Sequence, residues 1–380
     1  MNKINILFVV PQLEKGGSET LVYNIASRLD RERFNASVAY FHYYNNEMFK
    51  NAFHNQNVRL HHVQIKGSAD YSAMLGMARI IRDNDIHIVN AHHFISMVYS
   101  YYACKIASRR RLVYTEHSIW EINRVSFKWK VLGGLLMNQL DCVMGISEDV
   151  TNALRRKFHV RDKNTITIRN GVDLEGVNQG RDIKAVRNEF GLNDDMKIVI
   201  MVANFRKIKN HMFLLRGYKD LNKKLKNVKL LLIGQGTDGD PENTENDVRD
   251  YVVENGLCEN VILTGQRSDV PDLLSIADVF CLTSQSEGLP ISMLEAMSVG
   301  LPIVGTNVPG IRDVIRHRKN GFLVNLGDHE DLTNALYQLL SDEQLRRQYG
   351  QMSKRIVNES YSLSQCVARY QDLFLRLITN

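Results

Sequence analysis

Three hundred and eighty residues, 44% hydrophobic and 24% charged, have the length of two ordinary domains and the balance of a globular chain with a sizeable core. Six prolines and 24 glycines argue against a fibrous chain, and five scattered cysteines without a CxxC pair argue against a disulfide framework or a structural zinc site, so the thiols read as reduced and the chain as intracellular. The net charge of +6 is uneven: residues 1–175 carry 23 Lys and Arg against 16 Asp and Glu, a net of +7, and residues 176–380 carry 25 against 26, a net of −1.

The opening MNKINILFVV is too short an apolar run for a signal peptide and lacks a small-residue cleavage site. No stretch reaches the ~18 apolar residues of a spanning helix, so any membrane contact is expected to be peripheral. Short β-branched runs then recur: INILFVV (4–10), ASVAYF (36–41), IHIVNAHH (86–93), LVYTEH (112–117), CVMGIS (142–147) and TITI (165–168). A second set follows at KIVIMVAN (197–204), VKLLLIGQG (228–236), VILTG (261–265), VFCLTS (279–284), PIVGTN (302–307) and FLV (322–324). Most are continuously apolar, as parallel strands covered on both faces must be. The segments between them are helix-length with helical spacing, for instance Leu21, Ile25 and Leu29. The βαβ pattern thus runs twice, predicting an α/β chain of two Rossmann-like domains with parallel sheets. The polar stretch 170–182 interrupts the alternation and divides residues 1–173 from 174–360. The run 361–380 ends in a helix, near 362–378, with no strand after it. Two such sheets facing each other across a cleft suit a bisubstrate enzyme, with its chemistry on the βα loops.

Four loops carry that chemistry. The first reads PQLEKGGSET: Gly16-Gly17 lets backbone amides approach a ligand, Ser18 suits an N-cap, and a helix N-terminus attracts anions. LVYTEH ends in Glu116-His117 at a strand rim, where His117 competes with His42, His92 and His93 for a catalytic role. Beyond VAN (202–204), Arg206, Lys207 and Lys209 precede a helix expected near Asn210, placed to neutralise a diphosphate without a metal. In SQSEGLPISMLEAMSVGLPIVGTN, Glu287 sits in a loop and Glu295 inside a helix expected from Pro290. The backbone from Gly288 through Leu289 and Pro290 to Ile291 forms an anion-attracting N-terminus between them. A hydrolase-type acid/base pair is the alternative reading of the two carboxylates.

Together GGSE, TEH, FRKIKNH and EGLPISMLEAMSVGLPIVGTN resemble family 4 retaining glycosyltransferases of the GT-B fold, over essentially the whole chain. The resemblance implies that the C-terminal helix crosses back onto the N-terminal domain, which would bind acceptor while the C-terminal domain binds donor. It implies that Gly16 and Gly17 meet the donor phosphate and the acceptor, and that His117 contacts the donor sugar. Arg206 and Lys209 would clamp the diphosphate, Glu287 would face the sugar, and Glu295 would hold the ribose. Gly234, Gly236, Gln266 and Arg267 would form the ribose and base edge. The spacer between Arg206 and Lys209 is shorter than is common in the family, so Lys207 competes with Lys209.

The reading is a metal-independent retaining glycosyltransferase that moves a hexose or N-acetylhexosamine from a nucleotide-diphosphate sugar, UDP-sugars favoured, to a lipid-linked or saccharide acceptor in cell-surface polysaccharide or glycan assembly. The nucleotide sugar is substrate, and no cofactor is expected. Asp238-Gly239-Asp240 reads as surface rather than as a metal motif. A sugar-nucleotide epimerase and a non-catalytic nucleotide-sugar or membrane-binding protein are the rivals. Basic groups cluster at Arg109–Arg111, at Lys128 and Lys130 around Trp129, and at Arg155–Lys157; an anionic membrane surface on the cytoplasmic side is the expected partner, and nucleic acid is not. The segment 124–140 fits a lipid interface or an ordinary core helix with a basic end.

Overall fold

The computed structural model describes residues 3–13, 16–43, 47–67, 70–108, 110–174 and 182–379. Arg109, and residues 175–181 of the polar stretch expected to divide the chain, lie outside the described residues. Seven parallel strands form one sheet: β1 (Ile4–Leu13), β2 (Phe34–Tyr43), β3 (Arg59–His62), β4 (Ile88–His92), β5 (Arg111–Glu116), β6 (Cys142–Gly145) and β7 (Thr165–Thr167), in the order β3-β2-β1-β4-β5-β6-β7. Six form the other: β8 (Lys197–Val202), β9 (Val228–Ile233), β10 (Val261–Gly265), β11 (Val279–Leu282), β12 (Ile303–Thr306) and β13 (Gly321–Val324), in the order β10-β9-β8-β11-β12-β13.

The strands follow the apolar runs because helices cover both faces. Ile6, Leu7, Phe8 and Val9 of β1 are fully buried, and so is every residue of β4. One strand escaped the sequence reading: β3, RLHH, is a four-residue edge strand paired only to β2, and its polar side chains give no apolar run. In each sheet the strand order reverses beside the first strand, between β1 and β4 and between β8 and β11. Loops leaving such a switch point run to opposite faces and open a crevice at the carboxyl edge.

The chain divides into two compact units, Met1–Gly171 with Leu363–Asn380, and Val172–Ser362. The C-terminal helix, Leu363–Thr379, belongs to the first unit, as the family resemblance implies. Its Val367, Tyr370, Leu373 and Phe374 form one buried stripe, and the Phe374 ring lies 6.1 Å from Phe8 and 6.4 Å from Phe34. Gln371 Oε1 accepts the backbone N–H of Asp30 at 2.7 Å. Among the described residues no helix is long and apolar enough to cross a membrane.

Candidate active site

Every candidate side chain except Glu295 stands on or beside a loop at the carboxyl edge of a sheet. In the second unit the β8 end ties to the β11 end. The Gln285 amide donates to the Ile208 carbonyl at 2.8 Å, and the Thr283 hydroxyl donates to the Asn210 carbonyl at 3.0 Å. Asn210 adopts the left-handed conformation (φ 52°) and ends a single 3₁₀ turn, Lys207–Lys209, before the helix His211–Lys224. This bend delivers Lys209 Nζ to Glu287 Oε1 at 2.6 Å, and the Ser284 hydroxyl donates to the same oxygen at 2.6 Å. The pair is largely sheltered, whereas Lys207 is exposed. Of the two lysines that compete for the phosphate role, Lys209 meets the carboxylate and Lys207 faces solvent.

Beside that pair begins the helix Ile291–Val299, with Pro290 as N-cap rather than as the first helical residue, and with Gly288, Leu289 and Pro290 buried. The Met293 and Leu294 amides bond the Pro290 carbonyl, whereas those of Ile291 and Ser292 before them have no intrahelical carbonyl to bond, so they favour an anion. Glu295 is the fifth residue of that helix and is half-buried. A glycine the sequence reading passed over, Gly310 (φ 79°), lies against this loop. A Cβ there would sit 2.7 Å from the carbonyl oxygens of both Glu287 and Gly288, so only glycine lets the β12 loop brace the Glu287 backbone.

Arg206 does not stand over open solvent. Its Nε lies 3.2 Å from Asp240 Oδ2, an ion pair at the edge of a loop whose Asp238 and Gly239 are exposed, as a surface segment should be. Gly234 (φ 142°) brings the β9 end so close to the β8 end that a Cβ would meet the Ala203 carbonyl oxygen at 2.2 Å. The Gly236 amide donates to Glu245 Oε2 at 2.7 Å. Gln266 is exposed. Arg267 is drawn into a local cluster, bidentate to Asp269 at 2.8 and 2.7 Å, paired with Glu189 at 2.8 Å and over the Phe190 ring. These hydrogen bonds, donated to Asp269 foremost, raise its pKa further.

In the first unit Gly16, not Ser18, is the N-cap of the helix Gly17–Arg28. The Ser18 hydroxyl donates instead to buried Glu19 at 2.8 Å. The neighbouring β4 and β5 ends gather three histidines and two carboxylates. His92 Nδ1 is 2.8 Å from His117 Nε2, and the His93 ring stacks on His117 at 4.8 Å. His93 Nδ1 meets Glu121 Oε2 at 2.9 Å. Glu116 accepts from the backbone N–H groups of His117 (2.7 Å) and Ser118 (3.0 Å) and from the Tyr114 hydroxyl. His42 is exposed at the β2 end and joins none of this.

Charge is divided sharply within the cluster. Burial alone would lower the pKa of His93, but Glu121, then Glu116 and Glu19, outweigh it and raise the group to about 9. Burial and the His93 charge hold His92 down at about 3 and His117 well below the usual imidazole range. Burial, then the Glu121 charge, raises Glu116 to about 7. Ligand atoms of His93, Glu116 and Glu121 lie within 4.8 Å of one another, a spacing that a cation could bridge, but they are engaged as an ion pair and a set of accepted hydrogen bonds.

Two doubly wound parallel sheets with candidate groups at their carboxyl edges define the GT-B architecture. The family profile for glycosyl transferases group 1 matches residues 182–356, and that for glycosyltransferase family 4 matches residues 15–175. The chain belongs to the family 4 glycosyltransferases and is a hexosyltransferase. It is similar to N-acetyl-alpha-D-glucosaminyl L-malate synthase of Bacillus anthracis, 28% identical over 87% of this chain and 85% of that one. It is also similar to the UDP-Gal:alpha-D-GlcNAc-diphosphoundecaprenol alpha-1,3-galactosyltransferase of Escherichia coli, 25% identical over 82% and 81%. Anabaena HepE in complex with UDP-glucose shares the fold at a TM-score of 0.87 and 22% identity, over 98% of this chain and 100% of that one.

Proposed function

We propose that the chain transfers a hexose or N-acetylhexosamine from a UDP-sugar, with retained anomeric configuration and without a metal ion, to a lipid-linked or saccharide acceptor in cell-surface polysaccharide or glycan assembly. The observation that carries this is the meeting of Lys209 with Glu287 at 2.6 Å beside the N-terminus of Ile291–Val299. Departure of the diphosphate builds negative charge on its oxygens, and Lys209, Arg206 and the first-turn amides are the groups to receive it. Once a diphosphate draws Lys209 away, the Glu287 carboxylate is left to face the electron-poor sugar. The acceptor hydroxyl then attacks from the face the diphosphate leaves, passing its proton to the departing phosphate oxygen. In this reading His117 lies beside the donor sugar, Glu295 holds ribose hydroxyls, and Gly16 and Gly17 approach the donor phosphate and the acceptor. Gly234, Gly236, Gln266 and Arg267 form the ribose and base edge, with Arg267 the weakest member because Asp269 and Glu189 already hold it. The UDP preference leans on the E. coli relative, named for UDP-Gal, and on Anabaena HepE with UDP-glucose.

The lipid-linked acceptor goes with a membrane-facing surface. The helix Phe127–Met137 buries Gly133, Gly134, Leu136 and Met137 and turns the rest outward, Phe127 81% and Leu135 62% exposed, with Trp129, Val131 and Leu132 also exposed. Arg124 and Lys128 are exposed beside them. Apolar groups flanked by cations complement an anionic bilayer, which supports peripheral attachment at the cytoplasmic face.

The test incubates the protein with UDP-, GDP- and ADP-sugars, lipid-linked and soluble acceptors, and EDTA. Acceptor-dependent release of UDP in EDTA, with a product of unchanged anomeric configuration, is the expected result. Donor interconversion without acceptor would make it an epimerase, and strict Mg²⁺ or Mn²⁺ dependence would overturn the metal-free mechanism. Flotation with anionic vesicles, weakened by salt, tests the surface; no flotation at low salt together with efficient use of a soluble acceptor removes the membrane from the reading.

A further inference from the structure

Behind His117 stand two fully buried side chains of β4, Asn90 and His92, that the transfer itself does not use. The β4–β5 register sets Asn90 opposite Val113 and His92 opposite Thr115. Asn90 Nδ2 is 2.9 Å from the Thr115 hydroxyl and 3.5 Å from the Val113 carbonyl oxygen. A carbonyl oxygen only accepts, so the amide nitrogen must face it, and Asn90 Oδ1 is then the atom 3.2 Å from His92 Nε2. An amide oxygen also only accepts, so His92 Nε2 carries its proton. Buried beside the His93 cation, His92 is neutral, with one ring proton. Its Nδ1 therefore holds a lone pair, and His117 Nε2, 2.8 Å away, must donate to it.

His117 is neutral for the same reasons, so its own proton is spent on His92 and its Nδ1 is an acceptor. Among the described residues that Nδ1 has no hydrogen-bond partner. We propose that Asn90 and His92 are positioning residues that hold His117 as its Nε2–H tautomer, so that His117 offers Nδ1 as a fixed acceptor to a hydroxyl of the donor sugar. The proposal rests on the reading of His117 as the sugar-facing histidine. Its chemical content is selectivity. A preset acceptor left without its hydroxyl is a buried polar atom unpaired, which discriminates strongly against a deoxy analogue. A freely rotating or tautomerising imidazole would present a donor half the time and discriminate less.

The experiment is nitrogen-resolved NMR of the histidine rings in the full chain at neutral pH, with steady-state kinetics on UDP-glucose or UDP-N-acetylglucosamine. In the wild type His117 should show a protonated Nε2 and an unprotonated Nδ1. His92→Leu should release His117 into mixed tautomers and lower kcat/KM roughly tenfold, the scale of one neutral hydrogen bond, and His92→Gln, which restores an acceptor oxygen, should recover part of both. The His92→Leu/His117→Ala double variant should be no slower than His117→Ala alone. An Nδ1–H tautomer in the wild type, or losses that multiply in the double variant, overturns the relay. His117→Ala with undiminished kcat/KM overturns the sugar-facing reading, and the proposal with it, whatever the tautomer; the wild-type spectrum needs no variant to fold.

Discussion

Removing the carboxylate of Glu121 should flatten the alkaline side of the first unit's stability curve. His93 has a pKa of about 9 in the fold against 6.5 ordinarily, chiefly through Glu121 at 2.9 Å working against burial. At about 1.4 kcal/mol per pKa unit, that gap represents on the order of 3 kcal/mol. Below pH 6.5 the imidazole is charged both folded and unfolded, and the stabilisation is fully present. As pH rises toward 9 the unfolded chain has released the proton while the folded chain still holds it. The folded state then binds more protons, and stability must fall with pH, by roughly 1.4 kcal/mol per unit, until His93 deprotonates in the fold. Glu116 titrates lower, near 7, so its own contribution is confined to the lower part of the window from pH 7 to 9.5, and the fall in the upper part belongs to His93 within the cluster. Both tryptophans, Trp120 and Trp129, lie in the first unit, so fluorescence-detected urea unfolding reports that unit directly. Wild type should lose on the order of 3 kcal/mol across the window and Glu121→Gln less than half of that. Parallel curves would refute the pairing.

Glu287→Gln should lower kcat with little change in donor KM, and Glu295→Gln should raise donor KM more than it lowers kcat; near-wild-type kinetics for both would remove this junction from the site. Arg206→Ala and Lys209→Ala should each lose about 2–4 kcal/mol of transition-state stabilisation in kcat/KM. Exposed Lys207→Ala should be mild, and a severe Lys207 would reassign the phosphate contact. Gly310→Ala should lower turnover by displacing the Glu287 backbone, because its Cβ would sit 2.7 Å from two carbonyl oxygens; an unchanged kcat would show that the loop yields freely.

The strands were legible wherever burial on both faces writes an unbroken apolar run, as in Ile6–Val10 or Leu230–Ile233. Arg59–His62 was not, because an edge strand has one neighbour and tolerates polar side chains. At the candidate site the local signals were readable: the glycine and proline around Glu287, and the histidine at a strand end. Partnerships were not. Lys209 and Glu287 lie 78 positions apart and meet because β8 and β11 are adjacent, a fact of strand order that no loop sequence contains. The Asp240 contact to Arg206 was hidden in the same way. Ser18 misled for a different reason: a buried carboxylate one residue on competes for its hydroxyl and leaves the cap to Gly16.

The route of the chain also orders events during synthesis. The helix Leu363–Thr379 completes the first unit, yet it follows all of Val172–Ser362 in the chain. At about 5–20 residues per second, a ribosome needs roughly ten to forty seconds to make the intervening 191 residues. Through that interval Phe8 and Phe34 lack the Phe374 ring that covers them in the finished fold. The second unit, continuous in sequence, has everything it needs before the first is closed. Maturation therefore runs against the usual direction, with the earlier-made half the later to be finished, and a nascent chain stalled inside the second unit leaves the first one open.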